Sequence, residues 1–236
     1  MAENKKILDI IALYNSVIKG IEQKAIDDIN RAYGGVIRAA KGTFVEDITK
    51  LLLIIAWEEL GGKSERISFL KETRKLKIET KYINKIESQD VKEHILANIE
   101  DFNFVIKTDV HCSVDCELVI GVECKAYTEN AMLKRILVDF TFMKKLWPNI
   151  NCFLLQLENF MGGDYSELSK QITYGSKPTH TILSQFDDLN LEIITLLEGN
   201  RHVERPIHKE AFFKELEEKN LRLAIDKFKK VLIKYL

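Results

Sequence analysis

The chain alternates between segments with a three-to-four-residue apolar spacing and segments with a two-residue one. Residues 5–33 place Ile7, Ile10, Ile11, Tyr14, Val17, Ile18, Ile21, Ala25 and Ile29 on one stripe, which predicts a long amphipathic helix ended by Tyr33-Gly34-Gly35. A second helix is expected from about Thr43, an N-cap with Glu46 at the capping-box position, to Leu60, where Gly61-Gly62 stops it. It carries Phe44, Ile48, Leu51, Leu52 and Ile55 on one face and Leu53 and Trp57, with Glu46, on the other, the pattern of a broadly buried helix. Residues 64–104 are weakly patterned, with a strand expected around residues 76–82 and a short helix from Val91 to Ile99.

From Phe104 to Ala126 the period changes to two. Val110, Cys112 and Val114 alternate with Asp109, His111 and Ser113, and Leu118, Ile120, Val122 and Cys124 with Val119, Gly121, Glu123 and Lys125, as in a β-hairpin. Thr128 can cap a following helix striped by Leu133, Ile136, Leu137, Phe140, Met143 and Trp147, and residues 150–157 then read as a buried strand. Glycine and polar loop signals dominate residues 158–207. A closing helix is expected from about Lys209 to Leu236, with Leu221, Ala224, Ile225, Phe228, Val231, Leu232 and Leu236 on its stripe.

Composition narrows the class. Of 236 residues 46% are hydrophobic and 30% charged, which excludes disordered and fibrous chains, and one large domain is expected. No run of about 20 apolar residues could span a bilayer, so a cytoplasmic protein is expected. Four cysteines (112, 116, 124, 152) are too few for a disulfide framework and lack zinc-site spacing. The balance of 35 basic against 36 acidic side chains argues against an indiscriminate polyanion binder but leaves room for acidic metal ligands beside a local basic groove.

The chemistry concentrates in Asp109, Glu123 and Lys125. A three-residue loop, Asp115-Cys116-Glu117, would pair Val114 with Leu118 and, counting back, Asp109 with Glu123, with Lys125 on the same face. Two carboxylates that close repel unless a cation lies between them, and a nearby lysine can contact a reacting phosphate or water. Magnesium held by Asp109 and Glu123, with the Cys124 backbone carbonyl as a further ligand, would suit phosphodiester hydrolysis, while the Cys124 side chain points into the core. Asp115 is the less suitable first acid, because the chain would have to turn within residues 118–122. His111 lies on the active face, as a contact to metal or phosphate or as a hydrogen-bonding neighbour.

Lys107-Thr108-Asp109-Val110 followed by Val122-Glu123-Cys124-Lys125-Ala126-Tyr127 resembles the PD-(D/E)XK nuclease superfamily, and within it the type II restriction endonucleases. Thr108 replaces the family proline. The likeness extends to Gly42-Thr43-Phe44-Val45-Glu46 and to residues 129–157, an αβββαβ core over about residues 42–157 with a central mixed α/β sheet flanked by helices, a helical extension at 1–41, and recognition loops with a terminal helix at 158–236. It implies a catalytic role for Glu46 in assisting the metal or its water, Mg²⁺ as cofactor, and site-specific cutting of double-stranded DNA to a 5′-phosphate and 3′-hydroxyl. It also implies a protecting DNA methyltransferase in the host.

Base reading would fall to glycine-punctuated segments: Asn159, Asp164 and Tyr165 around Gly162-Gly163; residues 174–180, with Lys177 and His180; and residues 200–205, with Arg201 and Arg205. Each is also readable as an ordinary polar loop. Thr128, Glu129 and Asn130 lie near the catalytic strand end, close to the scissile strand. Lys134, Arg135, Lys144 and Lys145 are phosphate contacts or a solvated face. The terminal helices pack on the core or form a two-fold homodimer interface suited to a palindromic site. Two other readings remain at this point: a structure-specific nuclease with the same site, and a noncatalytic helical interaction module in which the three charges are a surface ion-pair cluster.

Overall fold

A computed structural model describes residues 2–28, 32–162 and 175–236. Two long helices come first, α1 (Ala2–Asp27) and α2 (Tyr33–Glu59). After strands β1 (Ile67–Ser68) and β2 (Arg74–Leu76) come α3 (Thr80–Ile83), α4 (Gln89–Ala97) and strand β3 (Phe104–Ile106). Then follow β4 (Val110–Val114), β5 (Glu117–Thr128), α5 (Asn130–Leu146), β6 (Asn151–Asn159), α6 (Lys177–Ser184), β7 (Glu192–Thr195) and α7 (Glu218–Leu232).

The central sheet has the order β1-β4-β5-β6-β7, antiparallel from β1 to β5 and parallel from β5 to β7, the mixed α/β sheet expected from the sequence. The parallel step from β5 to β6 needs a crossover, and α5 supplies it. Both faces are covered. On one side Ile10, Tyr14 and Ile18 of α1, Ile48, Leu52 and Ile55 of α2 and Leu221, Ile225 and Phe228 of α7 pack on Val110, Val122, Phe153 and Leu155. On the other, Leu133, Leu137 and Phe140 of α5 pack on Leu118, Cys152 and Leu154. β4 is buried at every position, as a strand between two helical layers must be. The stripes of both terminal helices are therefore spent on the core.

Several boundaries differ from the sequence expectation. Tyr33-Gly34-Gly35 does not end the first helix but opens α2, and Thr43 is ten residues inside that helix rather than its cap. The early turns of α2 bury Ile37, with Val36 and Ala40, against Ile21 and Ala25 of α1, and this packing outweighs the roughly 1 kcal/mol that each interior glycine costs. The predicted stop holds. The N–H of Gly61 donates to the Glu58 carbonyl and that of Gly62 to the Trp57 carbonyl, a Schellman ending with Gly61 at φ 81°. Gly62 is also required sterically, since a Cβ there would lie 2.2 Å from the Trp57 ring.

Thr128 is the last residue of β5, and Glu129 is the residue before α5. The strand expected at 76–82 shrinks to Arg74–Leu76, paired with β3 in a separate two-stranded sheet, and Thr80–Ile83 is helical. Residues 177–184, expected as loop, form α6, because Ser176 and Thr179 cap each other and Pro178 favours the first turn. The last helix begins at Glu218 rather than Lys209. Among the described residues no helix is long and apolar enough to cross a membrane.

Candidate active site

The hairpin of β4 and β5 turns through Asp115 and Cys116 alone, both at positive φ (50° and 67°), so Val114 faces Glu117 rather than Leu118. The register then slips by one at a bulge between Cys112 and Ser113, leaving Val119 without an opposite residue and returning to Cys112 opposite Ile120 and Val110 opposite Val122. One further step brings Asp109 opposite Glu123. The shorter turn and the bulge offset each other, so the expected facing pair survives a turn of a different length.

Around these strands the side chains converge. The Lys125 Nζ donates to Asp109 Oδ2 at 3.0 Å, to Glu123 Oε1 at 2.5 Å and to the Cys124 carbonyl at 3.2 Å. The Cys124 backbone N–H donates to Asp109 Oδ2 at 2.8 Å, tying the acid at the start of β4 across to β5. Burial, with the Asp109 charge adding to it, holds the Glu123 carboxyl above its usual range despite the opposing pull of Lys125. Burial pulls the Lys125 ammonium down, but the charges of Glu123 and Asp109 and their hydrogen bonds outweigh it and the group is held above its ordinary value.

Beneath the site the Cys124 thiol is buried and lies 3.3 Å from Thr49 Oγ1 of α2. Burial is the main cause of its raised pKa, and the charges of Asp109, Glu46 and Glu123 all add to it, so the three carboxylates lie around one point of β5. Glu46 sits one turn before Thr49 and pairs with Lys71 at 3.6 Å. Among the described residues no three His, Cys, Asp or Glu side chains group as a metal cluster. The convergent set is two carboxylates and a backbone carbonyl, all oxygen, gathered on an ammonium.

His111 is fully buried beneath this face, its ring edge-on to Trp147. The backbone N–H groups of Glu72 and Thr108 approach its two ring nitrogens at 3.1 and 3.2 Å, and a neutral imidazole can accept at only one of them. Asp115 lies at the far tip of the hairpin, bound to Arg66. Of the proposed DNA contacts, Thr128 is buried, and the Asn130 carboxamide is engaged with Thr179 and Ser176. Lys177 is exposed at the start of α6, His180 is half-buried, and Arg205 is exposed beyond β7. The Arg201 guanidinium lies on the Tyr127 ring, 4.0 Å from its centroid, and also against Phe160. Gly163, Asp164, Tyr165 and Tyr174 lie outside the described residues.

One group went unnoticed in the sequence. Lys41 stands in what reads as a linker before the second helix, yet α2 already runs through it and buries it. Only the helix start, fixed by α1, could have revealed it.

Fold and constellation are those of a mixed α/β nuclease, with two carboxylates and a lysine meeting across a central hairpin. The type II restriction enzyme DdeI of Desulfomicrobium norvegicum is 45% identical over 228 residues, which are 95% of this chain and 95% of that protein. The chain belongs to the type II restriction enzymes and is a site-specific deoxyribonuclease, which sets aside both the interaction module and the structure-specific nuclease. A chain of the native BbvCI A2B2 tetramer aligns over 97% of this chain and 89% of its own length at 15% identity with a TM-score of 0.38, a likeness too slight to fix any detail here. No protein-family profile matches the chain.

Proposed function

We infer that Asp109, Glu123 and the Cys124 carbonyl hold a hard divalent cation of the Mg²⁺ type, and that Lys125 and Glu46 complete a PD-(D/E)XK hydrolytic site that cuts double-stranded DNA to a 5′-phosphate and 3′-hydroxyl. One observation carries this reading: three oxygens converge on the Lys125 ammonium at 2.5–3.2 Å, a cation already standing among ligands of the kind such ions select. When bound, the metal supplies Lewis acidity and a water of lowered pKa. Asp109 is preorganised for its part by the Cys124 N–H. Lys125, once displaced from between the carboxylates, has a flexible stem that carries its ammonium toward the scissile phosphate, where it stabilises the developing charge or orients the attacking water. Glu46 accepts a proton or hydrogen bond from that water.

The substrate contacts in this reading are the exposed Lys177 and the half-buried His180 of α6, Arg201 and the exposed Arg205 after β7, and Thr128 and Asn130 at the end of β5. A two-fold homodimer suits a palindromic site, and Leu70 (78% exposed), Tyr82, Leu96, Phe104 and Val105 of the segment between α2 and β4 supply apolar surface that the core leaves uncovered. The enzyme works in the cytoplasm, to which its four unpaired cysteines are suited, alongside a methyltransferase that protects host DNA. Digestion of unmethylated phage-sized DNA with Mg²⁺ and with EDTA, by wild type and Lys125→Ala, tests the assignment. Discrete Mg²⁺-dependent fragments that vanish in the variant are expected, and undiminished cutting by the variant or in EDTA would refute it.

A further inference from the structure

Beyond Lys125, β5 continues to Tyr127, and there a second group of cations borders an open cavity of about 630 Å³ between the first turns of α2 and the chain after β7. Of its two acids, Glu22 pairs with Lys209, and the buried Glu158 lies 3.3 Å from the Lys214 ammonium, although its Oε1 accepts no hydrogen bond. Arg38, Lys41 and Arg201 are the surplus, and among the described residues none of their side chains makes a hydrogen bond or ion pair within the protein.

Lys41 is the unusual member, because it is only 7% exposed. A buried ammonium without a partner is costly. Burial pulls it down to about 8; Glu158 opposes the fall and Arg201 adds to it, so the two cations are near enough to repel. Arg201 is held in place: its backbone N–H donates to the Asn159 carbonyl at 2.7 Å, and its guanidinium plane is stacked on Tyr127 and Phe160. Stacking occupies the face of the guanidinium and leaves its N–H edge free to meet an anion.

We propose that this cavity receives the sugar–phosphate backbone of the bound DNA beside the scissile bond, with Lys41 and Arg201 closing on one phosphate. The proposal rests on the chain's being a DNA-cutting enzyme and adds to it a positioning site on α2 and the segment after β7. Location favours DNA over a free anion: Tyr127 is two residues, about 7 Å of strand, beyond Lys125, within reach of a neighbouring nucleotide. Chemistry favours backbone over base, since the Tyr127 ring is already covered by Arg201 and the unsatisfied groups are cations, which fix register on phosphates and carry no sequence information.

Equilibrium binding of the full-length protein to duplexes with and without the cleavage site, in EDTA and over a series of salt concentrations, tests this. Lys41→Met and Arg201→Gln should each flatten the dependence of log K on log salt. The double variant should reduce the slope by about 0.9 in total, the value for one phosphate. Cognate and unrelated DNA should lose affinity by the same factor, and Lys41→Arg should restore the slope. Circular dichroism confirms that each variant folds. An unchanged slope in all variants overturns the proposal, as does a loss confined to cognate DNA, which would make the pocket a base reader. Inorganic phosphate that raises the melting temperature through Lys41 while the DNA slope stays put would assign the cavity to a free anion instead. Cleavage of plasmid DNA by wild type with Mg²⁺ checks the parent assignment separately.

Discussion

Two cationic groups that border one strand, β5, differ in how they are satisfied. At its middle, Lys125 meets the oxygens of Asp109, Glu123 and Cys124, so the protein itself supplies the ammonium with acceptors and counter-charge. Where it ends, Lys41 and Arg201 face a cavity in which, among the described residues, neither side chain makes a hydrogen bond or ion pair. The first arrangement is stable as it stands, so any metal held there would compete with an internal ammonium for its ligands. The second is strained by like charge and burial, so an anion from outside relieves it. The two groups thus differ in whether the protein itself supplies the counter-charge.

Removing Lys125 breaks the contrast most severely. Lys125→Ala should lower cleavage by at least about a hundredfold, the scale for losing a group that stabilises developing charge. Titration calorimetry should at the same time show Mg²⁺ binding as tight as in wild type or tighter, because the internal competitor is gone. Weaker binding would mean that Lys125 organises the carboxylates rather than occupying their cation site. Glu46→Gln comes next, with a loss of about 10–100-fold in single-turnover cleavage, in the range of groups that support a metal site. Unaltered rates would reduce Glu46 to the partner of Lys71.

The end of the strand responds in stability instead. Lys41 holds its proton less readily in the folded chain, with a pKa of about 8 against 10.5. Between those values the unfolded state binds more protons, so the wild type gains stability as pH rises through that window and bears the full cost below pH 8. Lys41→Met should therefore raise the melting temperature by a few degrees at pH 7. Its advantage should shrink toward pH 10.5, and a pH-independent difference would show that packing, not charge, is responsible. The smallest effect is expected at the hairpin tip. Cys116→Gly, at φ 67°, should raise the melting temperature by about 2 °C with cleavage unchanged, since the turn lies at the far tip of the hairpin and touches neither site.

Much of the Asp109, Glu123 and Lys125 group was legible because its information is local. Strand parity put Asp109, Glu123 and Lys125 on one face, and the apolar runs fixed which face was buried. The turn length was misread by one residue and the bulge at Val119 was unseen, yet the facing pair survived because the buried alternation, not the loop, specifies the side. The cap assigned to Thr43 failed for the opposite reason. Gly34, Gly35 and Gly42 are poor helix residues by themselves, and only the contact of Ile37 with Ile21 and Ala25 carries the helix through them. Lys41 was hidden by the same misreading.

The sequence alone therefore determined the hairpin, the helix after it, the stripes of the terminal helices and the three charges at the centre, since each is written in spacings of two to four residues. Tertiary structure decided where α2 begins, that Thr128 ends a strand, and that Lys41 of α2, Tyr127 of β5 and Arg201 after β7 share one cavity. Those depend on contacts between segments 70 or more residues apart in the case of Tyr127 and Arg201, and on the packing of α1 in the case of Lys41. No short window of sequence encodes such distances, because burial and charge pairing are settled only when remote elements meet.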